Sequence, residues 1–288
     1  MLNKSNVFNA NFTLNINGKL VDFDQPLVMG ILNCTPDSFY KNSRIKNGES
    51  ALSVAEKMIA DGADILDIGG MSSRPNAQII DTCEELDRVL PVIEAIHQQF
   101  PETILSIDTM HASVAQKAVE QGCVIVNDIS GGSYDVAMLS TVAKLNVPYI
   151  LMHMRGNPSN MQEKTNYENL INDVNFELSE KIALAKAAGI KSVIVDPGFG
   201  FSKTLSQNFE MLNHLEAFHI HQLPLLVGVS RKSMIYKTLN TNAENALNGS
   251  TALHFGALMK GACILRVHDV LEAKEAVKLY KQMISSDS

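Results

Sequence analysis

The sequence predicts an α/β fold, a (β/α)8 TIM barrel with an N-terminal β-hairpin. Three observations predict it. Eight short apolar runs succeed one another, separated by segments with helical periodicity. The runs are nearly all-apolar, as parallel strands covered on both faces must be. Each run ends in polar or charged residues or leads directly into them, and a closed barrel would carry those residues to its C-terminal face. An open doubly wound sheet competes, but the phosphate-binding glycine fingerprint after the first strand is absent, and eight regular units favour closure.

The elements follow in order. Residues 12–23 alternate around Asn17-Gly18, a strong hairpin signal. We take 1–26 as an N-terminal extension with this hairpin, which could cover the bottom of a barrel, although nothing in the sequence places it there. The eight runs are then 27–32 ending in Asn33, 63–66 leading to Asp67, Gly69 and Gly70, 104–107 ending in Asp108, 124–126 ending in Asn127-Asp128, 149–152 ending in His153, 193–195 ending in Asp196, 225–229 ending in Ser230-Arg231-Lys232, and 263–265 ending in Arg266-Val267-His268. Helical periodicity marks 51–59, 84–98, 112–121, 167–188 and 246–260, and glycines close several of these segments, as at Gly122, Gly189 and Gly261. A last helix, 270–284, follows the eighth strand. With no Pro/Ser-rich linker, 27–288 reads as barrel plus C-terminal helix, and 1–288 as a single domain.

Composition narrows the functional classes. The net charge of −7 argues against nucleic acid as the main partner, though a local cationic cluster still suits a small anion. The four cysteines are far apart and form no Cys-x-x-Cys pair, so neither a disulfide framework nor a zinc site is indicated. There is no signal-peptide core and no apolar run long enough to span a membrane. A cytoplasmic location is expected.

In a barrel, Asn33, Asp108, Asn127, Asp196, Lys232, Arg266 and His268 converge on one bowl although they are far apart in sequence. Asp108, Asn127 and Asp196 supply acceptors and one amide donor, which suit a flat heterocycle with several N–H groups; each alone is as well explained as a helix cap. Arg266 and His268 are two apart, so both side chains leave the same side of a strand, where a guanidinium beside an imidazole suits phosphate or diphosphate. The alternative pairs Arg266 with a barrel aspartate and His268 with a backbone carbonyl. Lys232 fits a Schiff base, a donor to a ring carbonyl, or a solvated ammonium, and Gly228 and Ser230 beside it favour a ligand role. Two long polar loops, 33–44 and 69–76, overhang the bowl, and the Phe199 and Phe201 rings after Asp196 are suited to walling a planar ligand.

From residue 27 to the C-terminus the chain resembles the dihydropteroate synthase family. The likeness rests on Asn33-Cys-Thr-Pro-Asp-Ser-Phe, Asp67-Ile-Gly-Gly with Ser-Arg-Pro after it, Ser106-Ile-Asp-Thr, Asn127-Asp-Ile-Ser-Gly-Gly, Asp196-Pro-Gly-Phe-Gly-Phe, Ser230-Arg-Lys-Ser and Arg266-Val-His-Asp, in order and at barrel-strand spacing. The resemblance implies a transferase of folate biosynthesis that joins 4-aminobenzoate to (7,8-dihydropterin-6-yl)methyl diphosphate with Mg2+, in a homodimer, and that is a sulfonamide target. It implies that Asp108, Asn127, Asp196 and Lys232 hold the pterin. It assigns the diphosphate to Asn33, Ser73, Arg266, Val267 and His268, with Asn33 reaching the magnesium. It assigns aminobenzoate to Phe39, Ser73, Arg74, Pro75, Phe201, Lys232 and Ser233.

The sequence departs from the family pattern at Met71 (commonly glutamate), Ser73 (threonine), Asn76 (glycine), Gln207 (histidine) and Tyr40-Lys41-Asn42. These changes bear on the aminobenzoate loops, not on the pterin pocket. Three rivals make different demands. A methyltetrahydrofolate–corrinoid methyltransferase shares the pterin-binding residues but has no need of Thr35-Pro36-Asp37-Ser38-Phe39. A non-catalytic pterin-binding protein has no need of Arg266, His268 and Asn33 together. A Lys232 Schiff-base barrel has no need of the diphosphate cluster.

Overall fold

The computed structural model describes residues 12–16, 19–23, 25–34, 44–71 and 79–285. β1 (Thr13–Ile16) and β2 (Lys19–Asp22) pair antiparallel, Thr13 opposite Asp22 and Ile16 opposite Lys19. The expected Asn17-Gly18 turn lies outside the described residues. Alternation puts Leu14 and Ile16 on one face of this hairpin, and that face is buried among Leu27, Met29, Ile65, Ile125, Ile150, Ile194, Leu226 and Ile264. These are inward-facing residues of all but one of the barrel strands. The hairpin therefore plugs the N-terminal end of the barrel, and the opposite end carries the polar strand ends.

The barrel runs β3 (Leu27–Asn33), α1 (Arg44–Ala60), β4 (Ile65–Gly69), α2 (Thr82–Gln99), β5 (Ile104–Asp108), α3 (Ala112–Glu120), β6 (Ile125–Asp128), α4 (Met138–Leu145), β7 (Tyr149–Met152), α5 (Leu170–Ala187), β8 (Val193–Asp196), α6 (Leu205–Asn213), β9 (Leu226–Val227), α7 (Ser233–Thr238), α8 (Leu247–Met259), β10 (Ile264–Val267) and α9 (Val270–Ser285). The eight-stranded sheet has the order β8-β7-β6-β5-β4-β3-β10-β9, and every pairing is parallel. A parallel bridge from Val195 to Leu225 joins the two outer strands and closes the ring, and the Val195 amide donates to the Pro224 carbonyl at 2.9 Å.

Alternation along each strand sorts the residues. Met29, Ile65, Ile194 and Ile264 face the barrel interior, while Val28, Leu66, Val195 and Leu265 face the helices. The same rule sends Asn33, Asp67, Asp108, Asn127, Asp196 and Arg266 inward, because each is an even number of residues from an inward apolar residue or packs in register with one. The glycines that close α3, α5 and α8 have φ of +125° (Gly122), +100° (Gly189) and +91° (Gly261), a left-handed geometry that a side chain would strain.

Several expected boundaries move. The second barrel strand begins at Ile65 and runs through Asp67 to Gly69, so Asp67 is a strand residue and not a loop residue. The seventh is only Leu226–Val227, because the chain leaves the ladder for a tight turn in which Arg231 has φ 52°. α5 begins at Leu170: the Asn169 side chain accepts from the Asn172 amide at 3.1 Å and caps it, while Tyr167 lies before the helix and donates its hydroxyl to the Ser202 carbonyl at 3.1 Å. α4, α6 and α7 are short helices of the strand–helix units that lie outside the segments marked by periodicity. α6 does carry a sequence signal: Thr204 and Gln207 form a reciprocal capping box.

Candidate active site

The strand ends assemble the bowl by register. Asn33, Gly69, Asp108 and Asn127 are successive Cα partners across β3, β4, β5 and β6. Gly69 is placed where a Cβ would lie 3.5 Å from Asp108 Cβ and 3.7 Å from its carboxylate, so its missing side chain leaves the Asp108 carboxylate open to the bowl. Opposite, β10 contributes Arg266 and β8 contributes Asp196.

One cation ties the bowl together. Arg266 Nε donates to Asp67 Oδ2 at 2.6 Å, and its Nη2 donates to Asp108 Oδ2 at 2.6 Å. The Asn127 amide donates to the same Asp67 oxygen at 2.9 Å. Burial alone would weaken the Arg266 cation, but the Asp67 and Asp108 carboxylates outweigh it and hold the guanidinium charged. Burial also pushes the Asp108 carboxyl up. Arg266 opposes the shift, the nearby Asp67, Asp128 and Asp196 carboxylates add to it, and the net direction is upward. Asp196 is raised by burial too, against Lys232, the Gly198 amide and Arg266. Two polar atoms on neighbouring strands, Asp67 Oδ1 and Ser106 Oγ, are buried without a hydrogen-bond partner among the described residues. Such atoms are costly unless a donor or acceptor reaches them.

Lys232 stands at the mouth of β9. It is not a solvated surface lysine: its ammonium donates to the Phe199 carbonyl and lies 4.8 Å from the centroid of the Phe201 ring. Burial lowers its pKa to about 8 against the pull of Asp196. Phe201 faces the bowl with Met71, Ile129 and Met152 in an apolar wall. Phe199 does not; it is fully buried in the outer core, because Gly200 between the two rings has φ 83° and breaks the alternation that would send both the same way.

The β8–α6 loop that bears Phe201 is held from behind. Buried Lys203 donates to the Gly198 carbonyl (3.1 Å), the Phe201 carbonyl (3.0 Å) and His153 Nδ1 (2.9 Å). With Nδ1 accepting, the His153 proton resides on Nε2 and is donated to Glu177 at 3.0 Å. Burial, reinforced by the Lys203 charge, holds His153 down at about 3, in keeping with a neutral ring. Asn208 accepts from the Gly200 amide at 2.6 Å, and Gln207 donates to the Thr165 carbonyl at 2.9 Å. Gln207 thus both caps α6 and anchors a neighbouring loop.

Of the sequence-predicted residues, Asn33, Asp108, Asn127, Asp196, Lys232, Arg266 and His268 meet at the bowl, and Phe201 and Ser233 flank it. Val267 is fully buried against the helices, so only its backbone is positioned to reach the bowl. Phe39, Ser73, Arg74, Pro75, Asn76 and Tyr40-Lys41-Asn42 lie outside the described residues. Arg266 does pair with barrel aspartates, as the alternative reading held, yet its Nη1 bonds none of the described residues. His268 meets the Ser230 hydroxyl and not a backbone carbonyl. Asp67 was missed as a site residue because its strand was placed too early; an aspartate inside an apolar run, two residues before Gly69, was the available signal. Arg231 was missed as well: it pairs with Asp269 through two 2.8 Å contacts and donates to the Ala243 and Glu244 carbonyls, which fixes the turn that carries Ser230 and Lys232.

A parallel barrel whose bowl presents buried carboxylates, an amide and a cationic rim defines a class that binds flat, nitrogen-rich heterocycles with an anionic tail. Residues 29–268 match the family of pterin binding enzymes. The chain is 44% identical to the dihydropteroate synthase of Escherichia coli strain K12 over 271 residues, 93% of this chain and 95% of that protein. Its structure is similar to that of Yersinia pestis dihydropteroate synthase in a sulfonamide drug complex, with a TM-score of 0.90 and 42% identity over 95% of this chain and 100% of that one. It is also similar to Xanthomonas albilineans dihydropteroate synthase in complex with 7,8-dihydropteroate, with a TM-score of 0.85 and 35% identity over 94% and 98% of the two chains. The chain belongs to the pterin-binding enzyme family, among its dihydropteroate synthases.

Proposed function

We infer that the bowl condenses (7,8-dihydropterin-6-yl)methyl diphosphate with 4-aminobenzoate, giving 7,8-dihydropteroate and diphosphate. The observation that carries this is the Arg266 guanidinium held between Asp67 and Asp108 at the ends of the barrel strands. Asp108, Asn127 and Asp196 hold the pterin by its N–H groups, and Lys232 donates to its polar edge. Arg266, through Nη1, and His268 take the diphosphate. Aminobenzoate stacks near Phe201 with its carboxylate toward Lys232 and Ser233, and sulfonamides share that position.

The site fits a magnesium ion bound chiefly by its substrate. Asn33 ends β3 half-buried, with a neutral amide oxygen to offer, and among the described residues no cluster of three or more His, Cys, Asp or Glu forms a cage. Magnesium commonly keeps waters and phosphate oxygens with one or two protein ligands. When bound it supplies charge neutralisation to the leaving diphosphate.

The protein's own groups do the rest. The methylene C–O bond breaks, its electron pair leaves with diphosphate, and Arg266 and His268 stabilise that anion. The positive charge left on the pterin methylene is met by Asp108, with Asp196 behind it. The neutral arylamine nitrogen then forms the C–N bond and gives its proton to solvent. The substitution is dissociative, with the pterin diphosphate bound first.

Two further assignments belong to this reading. The outer face of α8 carries Ala252, Gly256 and Met259, and none of the described residues lies within 4 Å of where a Gly256 Cβ would be, which suits close approach of a second copy in a homodimer. The four free cysteines suit the reducing cytoplasm.

The test is product formation. Purified protein with both substrates and Mg2+ should form dihydropteroate, lose activity on chelation and regain it with Mg2+. Failure to form product under any metal condition, with the pterin still bound, would overturn the reading. A pH profile adds detail. Asp108 works ionised and its carboxyl is raised, so the acid limb of kcat/KM should lie above the ordinary carboxylate range. Lys232 works protonated, so activity should fall as it loses its proton near pH 8. A rate that is flat through this window would remove both groups from the chemistry.

A further inference from the structure

Ser230 stands in the turn after β9, is 2% exposed, and touches His268 twice. Its Oγ accepts from the His268 backbone amide at 3.1 Å and lies 3.0 Å from His268 Nδ1. The hydroxyl has a single proton. No other acceptor is bonded to it among the described residues, and a buried hydroxyl without an acceptor is costly. The backbone contact already uses Ser230 as acceptor, so its proton goes to Nδ1.

We propose that Ser230 is a positioning residue that fixes His268 as the neutral tautomer with its proton on Nε2, aimed away from Ser230 as a ready donor to the diphosphate. The role rests on the function proposed above and adds a residue to it. Tautomer choice matters because the alternative would present a bare nitrogen lone pair to an anion, which repels it.

The surroundings keep the ring neutral. His268 is exposed at the mouth of the bowl but has protein packed around it, and this desolvation together with Arg266 holds its pKa down at about 4. Arg231 and Lys232, from the β9–α7 turn, push the same way, while Asp269 opposes. His254 of α8 also faces His268; it is 1% exposed and is itself lowered to about 4 by burial. Three cations and a neutral imidazole therefore face a ring that cannot easily take a second proton, so its donor capacity depends on where its one proton sits. Arg231 holds Ser230 in place: its amide donates to Ser250 Oγ at 2.9 Å, and its side chain grips Asp269 next to His268.

The experiment is a long-range 1H–15N spectrum of the 15N-labelled full chain at pH 7. The His268 signals are assigned by their loss in His268→Asn. Wild type should show Nδ1 as the bare nitrogen and Nε2 as the protonated one. In Ser230→Ala the two nitrogen shifts should move toward each other as tautomers mix, and kcat/KM for the pterin diphosphate should fall about five- to tenfold, the scale of one hydrogen bond. A wild-type ring with its proton on Nδ1, or doubly protonated at pH 7, overturns the proposal even if the enzyme is fully active. So do unmoved shifts in Ser230→Ala. If that variant does not fold, the wild-type spectrum alone decides. A correct tautomer in a chain that releases no diphosphate would instead count against the function, which keeps the two questions apart.

Discussion

Asp67→Ala should lower kcat/KM by at least about 100-fold and folding stability by about 3 kcal/mol, the lower end of the cost of breaking a buried ion pair. Asp67 Oδ2 accepts from both Arg266 and Asn127. Without it, two buried donors lose their shared acceptor, and Arg266 leans on Asp108 alone. The amide and the guanidinium then lose the spacing that presents them to a pterin and a diphosphate. Asp67→Asn is the informative companion. Its oxygen can still accept both hydrogen bonds, so most of the stability should return. The negative charge does not return, so kcat/KM should stay well below wild type. Thermal unfolding and initial rates on the three proteins check this. An alanine variant with wild-type values for both would mean that Arg266 is positioned by something other than Asp67.

Arg266→Ala carries the second large effect. It removes the cation that faces the leaving group and also frees two buried carboxylates from their partner. Burial and three neighbouring carboxylates push the Asp108 carboxyl up, and Arg266 is the group that opposes them. Its pKa should therefore rise further, and near neutral pH the residue should become protonated and unable to stabilise a cation. Loss of a preorganised donor to a developing anion costs about 100- to 1000-fold in rate, and the protonation of Asp108 adds to that. The acid limb of the pH profile should move upward in whatever activity remains.

The barrel was legible because its signal is repeated. Eight apolar runs with polar ends admit few other folds, and the inward direction of Asn33, Asp108, Asn127, Asp196 and Arg266 follows from strand periodicity alone. The role of Asp67 was not legible, since it depends on a register that sets β4 beside β5 and β5 beside β6, and on an arginine 199 residues away in sequence. The same holds for Lys203. A lysine after Phe201 and Ser202 reads as a surface residue until the fold brings His153, Gly198 and Phe201 around it as three acceptors. Phe199 and Phe201 looked alike in sequence, and only the turn of the loop separates a core ring from a bowl ring. Boundaries slipped where the tertiary structure overrode periodicity, as at Tyr167, which binds Ser202 instead of opening α5.

The central claim is that Arg266, poised between two carboxylates, makes diphosphate a leaving group in this bowl. Diphosphate release measures it directly, with pterin diphosphate and Mg2+, with and without 4-aminobenzoate, for wild type and Arg266→Ala. Wild type should release diphosphate faster when aminobenzoate is present, and the folded variant should release almost none. Release by Arg266→Ala at the wild-type rate would contradict the account, as would a folded wild type that binds the pterin and releases nothing.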